Sequence, residues 1–154
     1  MAHAFFICMT CCLFLPCNVL QICGFFSPYW MQDSFYRGCF RGVLYNVGCP
    51  DDCAGLGFSV LGLQVAAFFF MILSTAVTIY SFFCSKDDAN DDYSCCDIYV
   101  HLFVCFYPIA GIIGIIGCII AMDSYGANGW GLYLCLVASS YIILQLCCTP
   151  LYED

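Results

Sequence analysis

Residues 56–83 read LGFSVLGLQVAAFFFMILSTAVTIYSFF, a run of 28 without one charged side chain. A helix that crosses the hydrocarbon of a bilayer needs roughly 20 predominantly apolar residues. The run meets that length with a turn to spare.

Working outward, the same pattern recurs three times. No charge stands between Met1 and Gln32, between Ile98 and Met122, or between Ser124 and Tyr152. Across the chain 64% of residues are hydrophobic and 9% charged, against about a quarter charged in a soluble domain. Too few polar residues remain to coat four buried core helices, so the chain reads as an integral membrane protein with four spans. We expect these at about residues 4–26, 56–83, 98–121 and 129–148, in a single domain covering residues 1–154. The first apolar stretch is too long for a secretory signal, and Met1-Ala2-His3 supplies no basic n-region. Pro16 falls inside it and Ser27-Pro28-Tyr29-Trp30 closes it, with Tyr29 and Trp30 at the level of an interfacial aromatic belt.

The net charge of −8 arises from eleven acids against Arg37, Arg41 and Lys86. Nucleic-acid binding needs clustered Lys and Arg, and none are clustered here. We expect no nucleic-acid partner, no small-molecule substrate and no cofactor. Asp97, His101 and Cys105 follow one another at four-residue spacing on the third span, a spacing that suits a metal, but an acid near a helix start and an interfacial histidine account for them as well. The acidic turn from Lys86 to Asp92 lacks the ligand pattern of a calcium loop. With no ionisable group inside spans one, two and four, we expect no enzyme.

The connections differ in length. Residues 27–55 form the one segment long enough to fold, whereas 85–94 make a short acidic turn and 123–128 a shorter link. A tetraspanin would place a large cysteine-rich domain in that last link. The 27–55 loop holds Cys39, Cys49 and Cys53. In an oxidising compartment one pair would staple a segment with little core of its own. Cys39–Cys49 and Cys49–Cys53 compete, and strand pairing between residues 39–45 and the stretch near Cys49 favours the first. Asp33, Asp51 and Asp52 offer charge that would select cations, and Arg37 and Arg41 anions, with plain surface solvation the simpler role. On the third span Ala110, Gly111, Gly114, Gly117 and Ala121 place small residues along one face, suited to close packing within a bundle or to a seam between two copies. Cys147-Cys148, at the end of the fourth span, is a candidate for S-acylation.

Trp30, the pair Cys39 and Cys49, and the near-absent second outer loop together resemble the claudin, peripheral myelin protein and stargazin-like tetraspan superfamily. The family's Gly-Leu-Trp triplet stands here as Ser34-Phe35-Tyr36, which keeps aromatic character at Phe35 and Tyr36. Leu63 to Ala67, Ile112 to Met122, Gly131 to Leu134, Ala138-Ser139-Ser140 and Cys147-Cys148 resemble helical stretches of claudins. The resemblance implies a left-handed bundle of four transmembrane helices with a small extracellular β-sheet. It further implies a multi-pass protein of the plasma membrane, at cell junctions, with both termini cytoplasmic and the 27–55 loop outside. Two arginines in that loop against one lysine in the next lean weakly the other way under the positive-inside rule, a bias too small to decide orientation. By the same resemblance its partners are the bilayer and either itself or another membrane protein. The implied roles are junctional adhesion or a paracellular barrier, and alternatively an auxiliary subunit seated beside an ion channel.

Overall fold

The computed structural model describes residues 15–34, 36–50, 55–84 and 94–148. Four helices carry most of this. α1 is described over Leu15–Phe25, α2 spans Phe58–Cys84, α3 Ser94–Tyr125 and α4 Trp130–Cys148. Two contain stretches long and apolar enough to cross a membrane, Phe58–Val77 and Phe106–Tyr125, and α1 and α4 contribute shorter apolar stretches.

α2 and α4 lie within two residues of their expected bounds. α3 is longer than the expected 98–121, running eight residues beyond it in total. Hydropathy marks where apolar composition stops, whereas the backbone ladder runs on through Met122, Asp123 and Ser124. It ends at Gly126, whose φ of 64° is the left-handed conformation that terminates helices. Its N–H donates to the Met122 carbonyl at 3.0 Å. The link to α4 is correspondingly shorter than the expected 123–128.

The helices pack in a ring. α1 meets α2 through stacked Phe25 and Phe68, whose centroids are 5.1 Å apart. α2 and α3 share an extended contact, as do α3 and α4. The ring closes where Gly24 of α1 lies against Cys135 and the Gly131 carbonyl of α4, so close that a Cβ at Gly24 would come within 2.6 Å of the Cys135 sulfur. Small residues on α3 set its distances to both neighbours. A Cβ at Gly111 would meet Ile142 and the Ser139 carbonyl of α4 at 2.9 and 3.0 Å, and one at Gly117 would meet Gln64 and Leu63 of α2 at 2.8 and 3.2 Å. Gly114 stands against Ser139, and Ala110 and Ala121 are buried. The stripe is spent within one chain, which leaves it closed to a seam between copies.

Three short strands, β1 (Met31–Gln32), β2 (Phe40–Arg41) and β3 (Asn46–Val47), form an antiparallel sheet in that order. Met31 pairs with Arg41, Phe40 with Val47 and Arg41 with Asn46. A disulfide joins Cys39 to Cys49, ten residues on.

Candidate interaction surfaces

Three places draw functional side chains together: the corner where the sheet meets the helices, a polar layer inside the ring, and a groove on its outside.

The corner is built on Trp30. Its side chain is fully buried and its indole N–H donates to the Gly24 carbonyl at 2.7 Å, satisfying the polar edge that a buried Trp must pair. Its backbone N–H donates to Arg41 O at 3.1 Å and its carbonyl accepts from Gly129 N at 2.7 Å. Tyr29 O accepts from Gly131 N at 2.8 Å, thereby capping one of the first N–H groups of α4, which have no partner within their own helix. Gly131 has to be a glycine for this: a Cβ there would lie 2.6 Å from the indole Cδ1. The exit of α1, the sheet and the entry of α4 are thus locked at one residue.

Behind the corner, Asp33 is buried and ion-paired with Arg41, while its other carboxylate oxygen accepts from the Tyr36 N–H at 3.3 Å. Of the loop charges singled out above, these two neutralise each other within the lobe that the sheet and its turns form, and Arg37 is exposed, as is neighbouring Tyr36. Phe35, Asp51 and Asp52 lie outside the described residues, as do the side chains of Asp97, His101, Cys105, Cys147 and Cys148.

The polar layer crosses the ring about one and a half turns in from the lobe-side ends of α2 and α4. Gln64 of α2 is fully buried and donates to the Gly114 carbonyl at 3.1 Å and toward the Cys118 sulfur at 3.4 Å. Its carbonyl oxygen accepts from Nε2 of buried Gln21 on α1 at 3.3 Å. The Cys135 thiol of α4 stands 3.9 Å from the Gln21 backbone carbonyl. Four helices therefore meet around one pair of amides. Sequence reasoning missed Gln21 altogether and took Gln64 only as part of a familiar run. The available signal was a long amide side chain isolated in a charge-free stretch, which has to find partners inside the protein if lipid surrounds it.

On the outside, α1 and α2 leave an open groove of about 390 Å³ lined by Leu15, Val19, Ile22, Ile72 and Ile79. Half-buried Asn18 and Thr75 stand in its wall. The Thr75 hydroxyl is 2.8 Å from the Met71 carbonyl and 3.3 Å from Asn18 Oδ1, and shares its one proton between them.

No family model, curated protein or solved structure matches the chain. The functional reading therefore rests on the residues themselves.

Proposed function

We propose that this chain is a multi-pass plasma-membrane protein of claudin-like architecture that acts without catalysis, by standing beside another membrane protein in the plane of the bilayer. One observation carries the membrane part: the helices are apolar outside and polar inside. Phe69, Ile72, Ile112, Ile119, Val137 and Leu144 are each at least half exposed, whereas Gln21, Gln64, Ser74 and Ser139 are buried. A soluble domain distributes these types the other way round. The most apolar windows of α2 and α3 are only 28% and 39% buried within the chain, and a core helix of a soluble protein would be mostly covered. The disulfide supports an oxidising, extracellular side for the lobe, with both termini cytoplasmic.

The groove supports lateral association. Its wall is aliphatic along Leu15, Val19, Ile22, Ile72 and Ile79, a face that a helix of a channel or other membrane complex laid into the groove would cover. The junctional reading, adhesion or a paracellular barrier, draws its support from the lobe, where Tyr36, Arg37 and Val47 face outward. Affinity purification in mild detergent separates the two. Lateral association predicts co-purification with a membrane complex that Val19→Trp or Ile72→Trp abolishes by filling the groove, with no enrichment at cell contacts. Junctional assembly predicts enrichment at contacts and altered transepithelial resistance, insensitive to those substitutions. Recovery of the protein alone, with no collection at contacts, removes both.

A further inference from the structure

The polar layer supplies a ruler for height. Gln21 and Gln64 are hydrogen-bonded and the Cys135 thiol lies beside the Gln21 carbonyl, so these three residues share one level. Phe26 lies five residues beyond Gln21, Phe58 six before Gln64, and Trp130 five before Cys135. At 1.5 Å of rise per residue all three stand roughly 7.5–9 Å above the layer, on the side of the lobe. They are 49%, 92% and 78% exposed. Three outward aromatic side chains at one height, on three different helices, have the geometry of an interfacial belt.

The turn between β2 and β3, residues 42–45, is pinned at that height. Tyr45 donates its hydroxyl to the Phe26 carbonyl at 3.0 Å. Gly42 lies so close to the chain leaving α1 that a Cβ would come within 2.8 Å of both the Ser27 carbonyl and Pro28 Cα. Val43 turns inward and joins Phe25 and Trp30 in the core. Its neighbours Leu44 and Tyr45 turn outward, 44% and 50% exposed. A turn in water is ordinarily polar, yet Gly42-Val43-Leu44-Tyr45 carries no charge. The exposed row Leu15, Val19 and Ile22 on α1, continued by Phe26 just past its end, runs up to the carbonyl that Tyr45 grips. The apolar surface is therefore continuous from helix to turn.

We propose that the β2–β3 turn is a lipid wedge: Leu44 and Tyr45 lie in the headgroup–acyl boundary of the outer leaflet beside Phe26 and hold the lobe down on the bilayer. The occupant is a phospholipid surface. This rests on the reading that the helices cross the membrane, and the test keeps the two apart.

The photo-crosslinking residue p-benzoylphenylalanine is placed at Leu44, at Phe69 on the outer face of α2, and at Tyr36 on the exposed side of the lobe, each in the full chain in cell membranes. Lipid adducts are then counted by mass spectrometry. The wedge predicts adducts at Leu44 within about threefold of those at Phe69 and about tenfold above those at Tyr36. Leu44 at the level of Tyr36, or Leu44 crosslinked to protein, overturns the wedge while Phe69 upholds the membrane reading. Adducts at neither Leu44 nor Phe69 overturn both. A smaller perturbation reads the same thing: on a Trp130→Phe background, Leu44→Trp should be quenched in vesicles of lipid brominated near the headgroup relative to the same variant in unbrominated lipid, and Tyr36→Trp should not. Equal quenching at the two sites overturns the wedge.

Discussion

The lobe and the helical ring solve opposite problems with the same few residue types. In the lobe, elements of two residues each are too short to hold themselves, and order comes from point fastenings: a disulfide, the Asp33–Arg41 pair, and the indole bond to Gly24. In the ring, long helices satisfy their own backbones, and side-chain polarity is turned inward to Gln21 and Gln64 while isoleucines and phenylalanines face out. What surrounds each region thus decides which groups it can leave open. This contrast implies that single deletions should hurt the lobe more than the ring, unless they place charge on the ring's outer face.

Trp30→Ala is the strongest way to sharpen that contrast. It removes a fully buried indole and leaves the Gly24 carbonyl without its donor, which we expect to cost about 3–5 kcal/mol. Thermal unfolding in detergent micelles should fall sharply, with proteolysis at Arg37 appearing first. Unchanged unfolding would show that the corner is not the junction of lobe and ring.

Next in size is Phe69→Lys. Phe69 lies eleven residues into α2 from Phe58, about 16 Å below it, which on the proposed transmembrane reading is close to the middle of a hydrocarbon core about 30 Å thick. An exposed lysine there should cost about 2.5–3.5 kcal/mol in insertion, whereas the same change at an exposed site in water stays within about 0.5 kcal/mol. Glycosylation-based insertion assays read this directly, and a neutral result breaks the contrast between the two regions.

Third, Cys39→Ser with Cys49→Ser should destabilise the lobe by about 2–3 kcal/mol, as expected for a loop of nine enclosed residues. The ring should remain assembled. Protease cleavage confined to residues near the sheet, with helix content unchanged by circular dichroism, is the expected outcome.

How much of this was legible beforehand follows from the same contrast. Four helices could be read from four charge-free gaps, because each gap is an apolar run long enough to hold a helix of roughly 20 residues. Their ends were less legible, since Asp123 interrupts the apolar run but not the backbone ladder of α3, which Gly126 stops. In the lobe the cysteine spacing and the strand pairing it suggests pointed to Cys39 and Cys49. The partnership of Asp33 with Arg41 was not visible, because it depends on β1 and β2 bringing positions eight apart side by side. Nor was the outward turn of Leu44 and Tyr45, which depends on a carbonyl at the end of α1. The small-residue stripe could be seen at once, but whether α2 and α4 or a second copy covers it is a tertiary fact.

The smallest expected effect tests the ring's side of the comparison most closely. Gln64→Met keeps length and volume while deleting the bonds to Gly114, Cys118 and Gln21. Buried hydrogen bonds between membrane helices average roughly 0.6 kcal/mol and reach about 1.7, because the separated helices also find partners. The Gly114 carbonyl remains within the α3 backbone ladder, so losing the amide leaves only Gln21 poorly paired. A loss of about 1 kcal/mol is therefore expected, and Gln21→Leu added to Gln64→Met should recover part of it, since removing both amides leaves neither stranded. A loss above about 3 kcal/mol with no recovery in the double variant would mean that the amide layer fastens the ring as the indole fastens the lobe, and the two regions would then be built on one rule instead of two.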